Sequence, residues 1–184
     1  MFRLPLICVA LLLSACQGIP VERDFDPTRD FAGYRTWSWD TPRIQYRPDD
    51  PRLKSDLTED RIANAVAEQL DQRGLRPAPA GQQGDVSVQV SMVVEQRQEQ
   101  VSSGFSPMWG NPWHGYWATP MAMDTRTIVY DVQTLQVDLR DKRDGKLVWR
   151  ASADQIRRNQ ANPNERTQAI RETVARILSQ YPPR

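Results

Sequence analysis

Between Asp85 and Met92 every second residue is apolar: Val86, Val88, Val90 and Met92 alternate with Ser87, Gln89 and Ser91, and Val94 falls on the same face. A period of two marks a strand with one buried face. Such a strand needs neighbours to pair with and a layer to cover it. A second long strand is expected over about 126–140. Its apolar phase moves from Ile128, Tyr130 and Val132 to Leu135, Val137 and Leu139, which predicts a bulge or bend near Gln133-Thr134. Asp144-Gly145 reads as a turn into Leu147, Trp149, Ala151 and Ala153, completing a hairpin. Shorter strands are expected near 21–25 and 35–39. Pro42, Pro48 and Pro51, with Asp49 and Asp50, predict a loop that no regular element crosses.

Two helices are signalled by a different period. Asp56 as cap with Glu59 three residues on is a variant of the capping box; Ile62, Ala63, Val66, Ala67 and Leu70 follow at helical spacing, and Gly74 stops the run. Asn162-Pro163 with Glu165 starts the second helix, Ile170, Val174, Ile177 and Leu178 form its apolar stripe, and Tyr181-Pro182-Pro183 ends it. The expected order is β-β-α-β-β-β-α. The fold class is α+β, with one antiparallel or mixed sheet of about five strands and two helices packed on one face. At 184 residues the chain has the length of one domain.

The N-terminus carries an address. Met1-Phe2-Arg3 is a short positive segment, Leu4 to Leu13 a ten-residue apolar run, and Leu13-Ser14-Ala15-Cys16 closes it with small residues. This is the order of a secretory signal. The run falls short of the roughly 20 residues of a membrane-spanning helix. Leu-Ser-Ala-Cys resembles the lipobox of bacterial lipoproteins, in which the cysteine thiol is diacylglycerated and becomes the new N-terminus. The division it implies is a signal peptide over 1–15, a lipidated Cys16 with its tether over 16–20, and a domain over 21–184. The signal removes Arg3 and Cys8, leaving 23 basic and 23 acidic side chains and a single, acylated cysteine. No disulfide is then available, so packing alone must hold the domain. Gln17 after the cysteine, where an Asp would resemble an inner-membrane retention signal, favours the outer membrane. The expected location is the periplasmic face of that membrane, with the lipid anchor as the first partner.

With 24 Lys and Arg against 23 Asp and Glu, the charge argues against a nucleic-acid partner. His114 is the single histidine, in an uncharged stretch with no acid beside it, a poor place for a triad base. Asp138, Asp141 and Asp144-Gly145 invite a calcium loop. With Gly145 at position six, however, positions one, three and five fall on Arg140, Lys142 and Asp144, two of them cations. The expectation is no enzyme, no cofactor and no metal. The rival is an envelope enzyme acting on glycan or lipid through carboxylates that the sequence does not single out.

One segment stands apart. Gln100 to Met123 is 24 residues without a formal charge, in a chain that is 26% charged. It holds Phe105, Met108, Trp109, Trp113, His114, Tyr116 and Trp117, the candidate binding residues, while Pro107, Gly110, Pro112, Gly115 and Pro120 argue against a helix or a central strand. Long apolar loops need a partner. Three are open: the segment folds back over the sheet as a satellite core, contacts a glycan, hydrophobic ligand or envelope protein, or dips into the lipid interface.

The pieces together are similar to the bacterial lipoprotein family called domain of unknown function 4136. The resemblance rests on Asp24-Phe25-Asp26, on Phe31, Tyr34-Arg35-Thr36 and Trp39, on the Gly145-Lys146-Leu147-Val148-Trp149-Arg150 hairpin and on Tyr181-Pro182-Pro183, in that order. It covers Val21 to Pro183. It implies one compact α+β domain behind a lipobox, a Gly- and aromatic-rich insertion between middle strands, Trp39 and Trp149 in the core, and no established catalytic residue. Ala151 stands where the family more often has Gly, a departure that touches packing only.

Overall fold

The computed structural model describes residues 20–103, 124–156 and 162–183. The elements are β1 (Val21–Phe25), β2 (Thr36–Arg47), α1 (Asp56–Gln72), β3 (Arg76–Pro77), β4 (Val86–Ser103), β5 (Asp124–Asp141), β6 (Leu147–Ile156) and α2 (Pro163–Leu178), with a short 3₁₀ turn at Phe31–Gly33. The six strands form one mixed sheet in the order β1-β6-β5-β4-β2-β3. β2 runs parallel to β3 and β4; the other pairs are antiparallel. Parallel neighbours need a crossover, and α1 supplies it between β2 and β4. The α+β class with two helices stands, while the five expected strands become six. The added strand, β3, is two residues long, too short to leave a periodicity in the sequence.

The alternation in β4 does what its period demands. Val86, Val88 and Val90 are fully buried, facing Val137 and Leu139 of β5 and Trp149 and Ala151 of β6. Ile62, Val66 and Leu70 of α1 and Val174, Ile177 and Leu178 of α2 close the same core. The helices also hold each other: Arg61 Nε donates to Thr167 Oγ1 at 3.0 Å, and Arg73 Nε donates to the Leu178 carbonyl. The second helix starts on a full capping box, with Asn162 and Glu165 bonded reciprocally.

Four local expectations are corrected. The proline-rich stretch after Trp39 does not end β2, which runs on to Arg47. Its register against β4 shifts between Trp39 and Ile44, so Pro42 falls in a bulge where its missing N–H costs no ladder bond, and its carbonyl accepts from Gln89 Nε2. The cap of α1 is Ser55, whose carbonyl accepts from the N–H groups of Thr58 and Glu59; Asp56 is already helical. No bulge occurs near Gln133-Thr134, because β4 and β5 pair without interruption there. The phase change instead reflects a change of buried face, with Val132 buried on the side opposite Leu135. Finally, Trp149 is in the core as expected, but on β2 the buried indole is Trp37. Trp39 only packs against the cluster's flank, its ring 5.2 Å from that of Trp37.

Where β4 begins, backbone meets backbone. A Cβ on Gly84 would lie 2.5 Å from Trp37 Cα and carbonyl carbon, and neither atom can move without displacing β2. Gly84→Ala is therefore expected to destabilise the domain by about 3 kcal/mol, the upper end for overpacking, measured by denaturant unfolding; a loss below about 0.5 kcal/mol would show that this contact is not tight.

Candidate functional site

The β4–β5 hairpin is longer than the sheet that holds it. Pairing runs from Val86 opposite Asp141 to Ser103 opposite Asp124, yet β2 leaves β4 after Val93 and β6 leaves β5 at Val132. Among the described residues, Glu95–Ser103 and Asp124–Asp131 therefore pair with one another alone. At roughly 3.3 Å per residue, this two-stranded arm projects about 30 Å from the body. Ile128 (49% exposed) and Val129 (50%) are consecutive and so point to opposite faces, and Val101 is exposed on the facing strand. No described layer covers either face. A lone two-stranded ribbon is marginal in water, so the arm needs something to lie against.

The arm is pinned at its root. Arg97 reaches Asp154 of β6 at 3.1 Å, and Thr134 Oγ1 donates to the same carboxylate at 2.6 Å. These side chains, with Glu22, Glu95 and Pro20, line a groove of about 310 Å³ on the helix-free face of the sheet. Pro20 is where the N-terminal chain arrives.

The opposite end of the sheet is tied by a buried carboxylate. Asp141 has no solvent-exposed side-chain surface. It accepts from Arg143 Nη2 at 2.6 Å, Arg143 Nε at 3.0 Å, the Arg143 N–H at 2.9 Å, Tyr34 Oη at 2.9 Å and Arg29 Nη1 at 3.2 Å. The Arg143 hydrogen bonds dominate over the desolvation that opposes them, holding the Asp141 carboxyl well below the usual carboxylate range. Arg29 also binds Asp26 and Asp144, so one guanidinium gathers the end of β1 and the β5–β6 turn. Burial first, and then Asp141, pushes the Tyr34 hydroxyl up. The Tyr34 ring continues edge-to-face through Phe31 to Tyr181 and Trp149. An acid so fully bonded is no proton acceptor at neutral pH; this cluster clasps the fold. Asp138 is likewise taken, bidentate, by Arg150 at 2.7 and 2.6 Å. Asp144 is in the turn its sequence suggested, with Gly145 at φ 72°. Among the described residues no group of three His, Cys, Asp or Glu side chains is placed to hold a metal.

The residues singled out from sequence, Phe105, Met108, Trp109, Trp113, His114, Tyr116 and Trp117, lie outside the described residues, as does Cys16. The structure does place the flanks of the uncharged segment: Gln100–Ser103 belongs to β4 rather than to a loop, and Ser103 and Asp124 close the last rung of the arm. Sequence reasoning stopped β4 at Val94 because Glu95-Gln96-Arg97-Gln98-Glu99-Gln100 has no apolar face to count. The Arg29–Asp141–Arg143 clasp was also missed; its one local signal is the Asp-x-Arg spacing of Asp141 and Arg143.

A mixed sheet with a helix pair on one face, a clasped end and a projecting hairpin defines a two-layer α+β domain. The chain belongs to the domain of unknown function family DUF4136, whose model matches residues 21–183. Among solved structures it is similar to a DUF4136 family protein from Bacteroides thetaiotaomicron, at 20% identity and TM-score 0.51, covering 89% of this chain and 96% of that one. It is also similar to a PDZ domain protein from Parabacteroides distasonis, at 14% identity and TM-score 0.55, covering 90% of this chain. This chain spans only 36% of the latter protein's length. At these identities the likeness shows the fold. No curated protein matches the sequence.

Because the folded-state pKa of Asp141 is depressed, its contribution is present above the unfolded value and fades as pH falls toward the folded one. Asp141→Asn is expected to melt at a lower temperature than the parent at pH 7, with the gap narrowing below about pH 4. Melting curves from pH 7 to pH 2 check this; a gap independent of pH would mean that shape, not charge, is what the clasp supplies.

Proposed function

We propose that this protein is a lipoprotein of the outer membrane, held at the periplasmic face by acyl chains on Cys16, with a non-catalytic role as a scaffold, accessory subunit or binder that acts through the segment carried by the β4–β5 arm. The observation that carries this reading is the arm itself: a ribbon about 30 Å long whose last rung, Ser103 opposite Asp124, is where the uncharged, tryptophan-rich part of the sequence joins its two strands. A catalytic site would instead be expected to keep a carboxylate free in a cleft. Among the described residues the buried acids, Asp138 and Asp141, are both neutralised by arginine, and the groove at the arm's root holds only the exposed Glu22 and Glu95 beside the arginine-paired Asp154. No described helix is long and apolar enough to cross a membrane, which accords with attachment through the N-terminal cysteine. A glycan or an envelope protein is a partner that an exposed aromatic segment would suit.

Two measurements test the reading. Cys16→Ala is expected to move the protein from the membrane to the soluble fraction of lysed cells; a variant that still sediments with membranes contradicts the anchor. On this reading, replacing Trp109, Trp113 and Trp117 together by Ala is expected to leave the melting temperature within about 2 °C of the parent. If they were core, each would cost about 3–5 kcal/mol and the domain would unfold.

A further inference from the structure

The direction in which the chain enters the sheet bears on what the arm meets. β1 runs from Val21, opposite Ala153, to Phe25, opposite Trp149. Across the sheet, Val21 shares its level with Leu135 and Met92, and Phe25 with Leu139 and Val88. Stepping from Phe25 back to Val21 is therefore stepping from Val88 toward Ser103. The N-terminal chain arrives from the end of the domain on which the arm projects, and Pro20 lies in the groove at the arm's root.

The lengths are unequal. Cys16 is five residues before Val21, so an extended tether reaches at most about 18 Å. Ser103 is eleven residues beyond Met92, so the tip stands about 36 Å past the level of Val21. A domain anchored at Cys16 with its tether leaving on this side brings the arm to the bilayer before the tether is taut. The arm must then lie along the surface or enter it. Its composition suits that place: beyond the Glu99–Ile128 rung the ribbon's only charges are Asp124 and Arg126, while Val101, Ile128 and Val129 are exposed.

We propose that the β4–β5 arm is a second membrane contact, lying against the lipid interface of the same bilayer that holds Cys16, so that anchor and arm together fix the orientation of the domain. This rests on the acylation of Cys16 given above. Two contacts on one rigid body also add by effective concentration rather than by new affinity, so an arm too weak to bind lipid alone would be seated once the anchor is in.

The test uses the acylated full chain purified from membranes, its acylation read from the intact mass. Acylation of Cys16 and loss of Cys8 leave no competing thiol, so Ile128→Cys on the arm and Lys142→Cys at the opposite end can each carry one environment-sensitive fluorophore. Each is reconstituted into phosphatidylethanolamine–phosphatidylglycerol vesicles with and without lipids bearing a nitroxide near the headgroup. The expected result is quenching of the Ile128→Cys label by the nitroxide lipid and none at Lys142→Cys, with iodide in the water losing access to the first label alone. An acylated protein whose two labels behave alike overturns the arm contact and leaves the anchor standing. A protein recovered without acyl chains overturns the anchor and this proposal with it. Loss of iodide access at Ile128→Cys that persists in membrane-free Cys16→Ala protein assigns the arm to a second copy of the chain, which also overturns it.

Discussion

The uninterrupted ladder between β4 and β5 is the constraint on which the rest depends. Its inner half, from Val86 opposite Asp141 to Val93 opposite Thr134, is the centre of the sheet, flanked by β2 and β6 and covered by both helices. Its outer half has no flanking strand among the described residues. The same hydrogen-bond pattern therefore serves as core and as lever. Because a register slip of one residue would turn Val86, Val88 and Val90 to the helix-free face, the buried half fixes the register of the exposed half, and the arm's direction is set by residues far from its tip.

At the other end of the ladder the domain is closed without a disulfide. Asp141, the last residue of β5, draws in Tyr34, Arg29 and Arg143, and Asp85, just before β4, accepts from the backbone N–H groups of Arg35 and Thr36. These two carboxylates tie the loop between β1 and β2 to both strands of the hairpin. Buried ion pairs are costly unless every lone pair is answered, and the five donors on Asp141 answer them. The Phe31, Tyr34, Tyr181 and Trp149 rings then seal the same end with edge-to-face contacts. Of the residues that carried the family resemblance, Asp26, Phe31, Tyr34, Trp149 and Tyr181, scattered over the chain, meet at this end of the fold.

The parts of the fold legible in the sequence were those with a periodic buried face or a local cap: the valines of β4, the stripe of α1, and the Asn162–Glu165 box of α2. What escaped was decided by distant partners. β2 continues through Pro42 because β4 offers a neighbour on the far side of a bulge, and the arm's polar residues form a strand only because each faces another across the ladder. Ser55 displaced Asp56 as cap through its backbone alone. The site was legible as composition, the one uncharged aromatic segment in a charged chain. That its flanks, Ser103 and Asp124, meet at the last rung of the arm depended on pairing between residues such as Gln98 and Val129, which no local pattern announces.

Hydrogen–deuterium exchange along this one hairpin tests the central claim most directly, since it reads both halves of the ladder in one experiment. In the membrane-free Cys16→Ala protein, amides of 86–93 and 134–141 should exchange slowly and those of 95–103 and 124–131 fast; in the acylated protein on vesicles the second set should become protected while the first is unchanged. Equal protection of the two halves in the membrane-free protein would contradict the division of the ladder into core and lever.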